Sequence, residues 1–306
     1  MKTPAIRQAG QWTFVASVAA MILALTPLSR TTAQTERIPL KPPPAMPLPD
    51  EAGLAPVRDI RMWYAIFNNR VQGTPVLLIH GGVASSEYWG EVVPVLMDKY
   101  KVIVADSRGH GRSTRTKEPL GYAVMTDDYV ALLDHLKIDK VALLGHSDGG
   151  NIGLDMAMRY PQRLSKLIAF GANYNPGGLK NDGYDPAQDP VFAGIWDWNR
   201  ELYERISPTP THYEAFWKDM AAMWSSQPDF KPEQLAKIRT PTVIMGAEQD
   251  EFIRREHTEE LAKLVPGAKL VMLRGVGHLA MGQDPAQFNR EVLLFLDSSL
   301  ADREAE

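Results

Sequence analysis

The sequence predicts an α/β fold built on a doubly wound, mostly parallel sheet. Short apolar runs alternate along the chain with helix-like segments. Several of these runs are apolar at every position, which is typical of central parallel strands that are buried on both faces. With 306 residues, of which 44% are hydrophobic, the chain is long enough for one large domain of this kind with an insertion.

The composition excludes several classes of function. The net charge is -4 and no basic run occurs, so nothing favours a nucleic-acid partner. The chain has no cysteine, which excludes disulfides, thiolate metal sites and a cysteine nucleophile. Nothing in the sequence indicates an oligomeric state.

The N-terminal 33 residues have the pattern of an export signal. Lys2 and Arg7 precede an apolar stretch at residues 12–25, and small residues at 31–33 provide a cleavage site. The apolar stretch is short for a membrane span. We therefore predict a signal peptide at 1–33 and a periplasmic or secreted protein without stable membrane association. An uncleaved anchor is the alternative. Residues 34–57 are rich in proline and are predicted to form an extended spacer.

The α/β core is predicted in two parts, residues 58–172 and 238–300, separated by an insertion. In the first part we predict strands at 60–68, 75–79, 101–105, 141–144 and 164–170, and helices at 87–99, 126–136 (capped by Thr126) and 151–160. In the second part we predict strands at 240–246 and 269–273, and helices at 255–264 and 285–296.

The insertion at residues 173–237 breaks this alternation and is predicted to form a helical cap. A capping-box pattern at Thr211–Glu214 precedes aromatic residues at helical spacing. Most of these aromatic side chains must pack onto the domain. A lid over a pocket also needs apolar lining, so Trp217 and Trp224 are candidate substrate-binding residues.

The segment Gly145-His146-Ser147-Asp148-Gly149 fits the pattern G-x-S-x-G between a predicted strand and a predicted helix. A sharp turn there would strain the serine backbone, and side chains at the flanking glycines would collide with neighbouring chain. The turn would present the Ser147 hydroxyl at a helix N-terminus, where free N–H groups can meet developing negative charge.

Ser147, Asp250 and His278 each follow a predicted parallel strand, in the order Ser, Asp, His. From about residue 60 to 296 the chain resembles the α/β-hydrolase superfamily, in particular its small capped members: esterases, lactonases, carbon–carbon bond hydrolases and cofactor-free haloperoxidases. The matching motifs are His80-Gly81-Gly82, Asp106 to Ser113, Gly145 to Gly150, Gly246 to Asp250 and Gly277-His278.

This resemblance implies a catalytic triad with the acid supplied after the cap. Ser147 would be the nucleophile, which needs an adjacent base. Of seven histidines, only His278 lies in a glycine-rich loop after the last strand, so it is preferred as the base. Asp250 matches the position of the acid, whereas Glu248 and Glu251 are interpreted as solvated loop charges. The alternative acid position at 171–173 offers no carboxylate.

The oxyanion hole needs two backbone donors. One is expected at Asp148, directly after the nucleophile, and by resemblance the other is Gly82. Asp106 and Arg108 are interpreted as loop-fixing hydrogen bonders. No metal and no cofactor are predicted, because no cluster has metal-ligand spacing.

Asp148 is an unexpected elbow residue, since an ionised carboxylate would oppose negative charge in the oxyanion hole. Its side chain could turn away and fix the loop, or it could meet a positive group on the substrate.

The favoured function is hydrolysis of a small carboxylic ester or lactone through an acyl-enzyme. Hydrolysis of a carbon–carbon bond in a meta-cleavage-type diketone is the alternative, and haloperoxidase-like perhydrolysis is a further one. A non-catalytic binding protein is disfavoured by the intact nucleophile, base and acid.

Overall fold

The computed structural model describes residues 40–180, 188–189 and 191–298, in which helices flank one eight-stranded sheet. The strands are β1 Glu51–Val57, β2 Ile60–Phe67, β3 Val76–Ile79, β4 Val102–Ala105, β5 Val141–His146, β6 Leu164–Phe170, β7 Thr242–Ala247 and β8 Lys269–Leu273. The helices are α1 Val93–Leu96, α2 Tyr122–His135, α3 Asp148–Arg159, α4 Ala193–Ile206, α5 Tyr213–Trp224, α6 Pro232–Leu235, α7 Arg255–Leu264, α8 Ala280–Gln283 and α9 Pro285–Asp297.

The strand order is β1-β2-β4-β3-β5-β6-β7-β8. β2 pairs antiparallel with β1 and with β4, and all later pairs are parallel. The mostly parallel sheet is therefore confirmed. Because the carboxyl ends of parallel strands meet at one edge, the loops after β5, β7 and β8 come together there.

Both faces of the sheet are buried, as a doubly wound fold requires. Along β3, Leu77 and Ile79 join a core cluster with residues of α2, α3 and α7, while Val76 and Leu78 join a second cluster with residues of α1 and α9. All four β3 side chains are inaccessible to solvent. This two-sided burial explains why β3 is apolar at every position.

Four predicted helix starts differ from the structure. α3 begins at Asp148, three residues before its predicted start. α2 begins at Tyr122, so Thr126 lies inside the helix, where its hydroxyl donates to the Ile152 carbonyl instead of capping. The segment 87–99 forms only a 3-10 turn at Ser86–Trp89 and the short α1, which has Pro94 in its first turn. The predicted capping box is not formed, because α5 starts at Tyr213 after a 3-10 turn and has no side-chain cap.

The sheet begins before the predicted boundary at residue 58. β1 pairs along its whole length with β2, although Gly53 and Pro56 obscure its strand pattern. An edge strand tolerates proline, since only one side of it is paired. The preceding segment is not a free spacer: Leu40 and Met46 pack against the core. The predicted signal peptide lies outside the described residues, and none of the described helices has the length and hydrophobicity needed to span a membrane.

The insertion between β6 and β7 contains α4, α5 and α6. Its aromatic residues pack on one another. The ring centroid of Trp217 lies 5.0 Å from that of Trp196 and 5.6 Å from that of Trp224. Phe216 of α5 meets the ring of His110 edge to face at 4.7 Å. Helix α5 therefore packs over the loop that follows β4, at the carboxyl edge of the sheet.

Candidate active site

Ser147 stands alone between β5, which ends at His146, and α3, which begins at Asp148. Its backbone has φ 53° and ψ -116°, a conformation that a non-glycine residue adopts only when its surroundings enforce it. A β-carbon on Gly145 would lie 2.1 Å from the Gly149 carbonyl oxygen, and one on Gly149 would lie 2.1 Å from that of Ile79. Both glycines are needed for close packing, as the sequence predicts.

His278 and Asp250 form a buried hydrogen-bonded pair. Nδ1 of His278 lies 2.9 Å from Oδ2 and 3.1 Å from Oδ1 of Asp250. Oδ1 of Asp250 also accepts from the backbone N–H groups of Phe252 and Ile253, which fix the carboxylate. Burial alone would lower the pKa of His278, but Asp250 and the nearby carboxylates of Glu251 and Asp148 raise it above its ordinary value.

Glu251 differs from the sequence interpretation. It is only 8% exposed, and its Oε2 accepts the backbone N–H of His278 at 2.9 Å. It is a buried support of the His278 loop and not a solvated charge. Glu248 is exposed, as expected, although its carboxylate accepts from the Gly275 N–H at 3.0 Å.

The other histidines near the site bond to backbone groups. Nε2 of His146 lies 2.9 Å from the carbonyl oxygen of His278, and burial lowers the pKa of His146 well below its ordinary value. Burial also lowers the pKa of His80, and it lowers that of His110 to about 3. These rings are neutral at physiological pH and hold loops together.

Asp106 and Arg108 fix loops, as predicted. The Asp106 carboxylate accepts from the backbone and hydroxyl of Ser86 and from the backbone of Arg112. The fully buried Arg108 guanidinium pairs with Asp128 and Asp59.

A cavity of about 320 Å³ lies between this edge of the sheet and the insertion. Its walls include most of the predicted site residues, namely Ser147, His278, Gly82, Asp148, Trp217 and Trp224. Asp250 is the exception and lies behind His278. Lys180 also lines the cavity, and its ammonium donates to the Asp250 carbonyl oxygen at 2.5 Å. The wall is mainly apolar and aromatic, which suits a small organic substrate.

The carboxylate of Asp148 is buried and held by two neutral donors. The Tyr122 hydroxyl donates to Oδ1 at 2.7 Å, and Nε1 of Trp224 lies 3.0 Å from both oxygens. Burial raises the pKa of Asp148 to about 6, although these hydrogen bonds oppose the shift. Of the two roles that the sequence left open, loop fixation agrees with these contacts.

Neither Tyr122 nor Lys180 is a candidate on sequence grounds, and the buried role of Glu251 does not follow from its place in the sequence. Tyr122 precedes the predicted start of its helix, and Lys180 lies in a glycine-rich stretch without periodicity. The adjacent acids Asp250 and Glu251 indicate a carboxylate near His278. The sequence does not say which acid contacts the His278 ring and which contacts its backbone. Within the described parts of the chain, no three His, Asp or Glu side chains group closely enough to hold a metal ion.

Comparison with known proteins gives consistent matches. A family model for the alpha/beta hydrolase fold matches residues 74–223. A Caulobacter protein named "Putative carbamate hydrolase RutD" is 30% identical over 249 residues, covering 74% of this chain and 91% of that protein. Among solved structures, a meta-cleavage product hydrolase from Pseudomonas fluorescens is similar with a TM-score of 0.65 at 22% identity, covering 81% and 98% of the two chains. An enol-lactonase from Burkholderia xenovorans is similar with a TM-score of 0.64 at 20% identity, covering 80% and 100%.

Proposed function

The chain belongs to the alpha/beta hydrolase family, and we propose that it is a serine hydrolase of small carboxylic esters or lactones. The observation that supports this proposal most is the His278–Asp250 pair at 2.9 Å beside a cavity that Ser147 also lines. Asp250 would hold the imidazole in the tautomer with its proton on Nδ1, which leaves Nε2 free to act as a base.

In this mechanism, Nε2 of His278 takes the proton from the Ser147 hydroxyl while Oγ attacks the substrate carbonyl carbon. The resulting oxyanion accepts hydrogen bonds from the backbone N–H groups of Gly82 and Asp148. Collapse of the tetrahedral intermediate breaks the bond to the alcohol, which leaves with the proton from His278. Water then loses a proton to His278 and attacks the acyl-enzyme. The second tetrahedral intermediate collapses and releases the acid, while His278 returns the proton to Oγ of Ser147.

A carbamate is a second candidate substrate, because the Caulobacter relative that matches over 91% of its length is named as a carbamate hydrolase. Carbon–carbon bond hydrolysis and perhydrolysis remain alternatives, since the same three residues would serve both. A non-catalytic binding protein would show no multiple turnover.

The test is a substrate panel given to the mature protein: aryl esters of increasing acyl length, a γ-lactone, an aryl carbamate and a vinylogous 1,5-diketone. We expect the highest kcat/KM on an ester or the lactone, and a loss of kcat on the order of at least 10⁴ in Ser147→Ala. A higher kcat/KM on the carbamate or the diketone would replace the ester assignment. Stoichiometric binding without turnover of any compound would overturn the enzymatic proposal.

A further inference from the structure

The side chain of Asp148 connects helix α5 of the insertion to the elbow. Asp148 is the first residue of α3, yet its carboxylate is held by residues from two other helices. Trp224, the last residue of α5, places its Nε1–H 3.0 Å from both carboxylate oxygens, and Tyr122, the first residue of α2, donates its hydroxyl at 2.7 Å. Three helices therefore meet at one carboxylate.

The backbone of Gly82 lies directly against the same group. A β-carbon on Gly82 would lie 2.4 Å from Cζ2 of Trp224 and 2.6 Å from Oδ2 of Asp148. The side of Gly82 that faces α5 is therefore occupied by Trp224 and Asp148, with no room for a side chain between them. Gly82 and Asp148 are also the residues whose backbone N–H groups are the proposed oxyanion donors. The contacts around the Asp148 carboxylate therefore affect the positions of both proposed oxyanion donors.

We propose that Asp148 is a positioning residue. Its carboxylate, fixed by Tyr122 of α2, holds α5 against Gly82 through Trp224 and so keeps both oxyanion donors in place. This inference rests on the proposed serine hydrolase function. Oxyanion stabilisation depends on donors that are fixed before the reaction, so a small displacement affects the transition state more than substrate binding. Trp224 therefore acts on kcat, in addition to lining the cavity.

The charge of Asp148 makes this link dependent on pH. The titratable groups that face it are Tyr122 from α2 and His278 from the loop after β8, while α5 contributes the neutral indole of Trp224. Burial and the Asp148 charge raise the pKa of Tyr122 well above its ordinary value, so its hydroxyl stays a donor. The Asp148 carboxyl, with its pKa raised to about 6, gains a proton as the pH falls through that value. A protonated carboxyl accepts fewer hydrogen bonds, so the link weakens on the acid side.

The first test is a double-mutant cycle of Asp148→Ala and Trp224→Phe, assayed on the best ester of the panel. We expect each single variant to lower kcat about tenfold and to change KM less than about threefold, because transition-state stabilisation is what is lost. The double variant should lose no more than the worse single one, since both remove the same contact. Asp148→Asn keeps an acceptor oxygen and should retain more kcat than Asp148→Ala. Trp63→Phe, on β2 and outside the cavity, is the matched control and should keep wild-type kcat.

Unchanged kcat in Trp224→Phe, or losses that multiply in the double variant, would overturn the proposal. If Asp148→Ala does not fold, as judged by thermal unfolding, Asp148→Asn replaces it in the cycle. We then expect a smaller loss of kcat from that single variant, and a double variant no worse than Trp224→Phe alone.

A second measurement does not depend on catalysis. The fluorescence of wild type minus that of Trp224→Phe should titrate with a midpoint near pH 6, from the Asp148 carboxyl beside the indole. The titration should disappear in Asp148→Asn and persist in His278→Gln, which distinguishes the two nearby groups. If no substrate is turned over, the proposed function fails. The titration still tests whether the Asp148 carboxylate contacts the indole of Trp224. A titration that persists in Asp148→Asn would overturn the link, and the absence of a titration in the wild type would overturn its pH dependence.

Discussion

Glu251 and His278, which are 27 residues apart, are joined by a hydrogen bond of 2.9 Å from the His278 backbone N–H to the Glu251 carboxylate. A β-carbon on Gly277 would lie 2.5 Å from either carboxylate oxygen, so the loop passes directly over Glu251. Two consecutive acids thus support one histidine: Asp250 meets its ring, and Glu251 meets its backbone. The position of His278 depends on both.

We expect Glu251→Gln to shift the acid limb of kcat/KM to lower pH. His278 must be neutral to accept the serine proton, so activity rises with pH through its pKa. Burial lowers this pKa, whereas Asp250, Glu251 and Asp148 raise it. Removing the charge of Glu251 lowers it and extends activity to more acidic solution. A pH–rate profile from 5 to 8 checks this, with the exposed Glu248→Gln as control. An unmoved limb, or one displaced to higher pH, contradicts the prediction.

We expect Ser147→Ala and His278→Ala to lower kcat by on the order of 10⁴ to 10⁶ each, and the double variant to be no worse. These residues would act as a unit, so removing either one removes the nucleophilic pathway. Asp250→Asn should cost somewhat less and leave the fold intact. Steady-state kinetics with thermal unfolding of each variant decides the matter. If Ser147→Ala kept more than a few per cent of wild-type turnover, another nucleophile would have to be sought.

Gly82→Ala should lower kcat by at least about tenfold, because its methyl group would displace Trp224 or Asp148 beside a proposed oxyanion donor. The matched control is Gly194→Ala in α4, where a β-carbon meets nothing within 4 Å. That substitution should preserve kcat and stabilise the protein by up to about 1 kcal/mol through helix propensity. Steady-state kinetics and chemical denaturation of both variants measure kcat and stability. Equal kcat in the two variants would count against Gly82 as an oxyanion donor.

Trp217→Ala should change kcat/KM unevenly across esters of increasing acyl length. Trp217 lines the cavity and packs between Trp196 and Trp224, so removing its ring enlarges the space for an acyl chain. Longer chains should gain relative to short ones. The ester series measures this directly. A uniform loss over the whole series, together with a lower Tm, would assign Trp217 to packing alone.

We propose that the protein is exported and that its mature form begins near Gln34, on the pattern of positive, apolar and small residues in the first 33 positions. N-terminal sequencing of protein recovered from the native host, after separation of periplasm and cytoplasm, gives the answer. Soluble cytoplasmic protein that retains Met1 would exclude this proposal, and membrane-bound protein with Met1 would indicate the uncleaved anchor.

The parallel sheet could be predicted because burial on both faces leaves a direct record in the sequence. The continuous apolar runs at β3, β4 and β5 indicate central strands, and the positions of Ser147, Asp250 and His278 after strands place them at one edge. The close packing of the backbone around Ser147 could also be predicted, because the flanking glycines allow an approach that a side chain would block. Strand β1 was missed because an edge strand with Gly53 and Pro56 carries little of this pattern.

Which residues reach the carboxyl edge of the sheet can be recognised in the sequence alone, since that follows from local patterns of burial and chain reversal. How those residues are supported depends on the packing of the folded chain. Tyr122 and Trp224 lie 26 and 76 residues from Asp148, and Glu251 lies 27 residues from the backbone it holds. Such pairs leave no periodic signal, because a hydrogen bond between distant residues depends on how whole elements pack and not on the order of residues within any one of them.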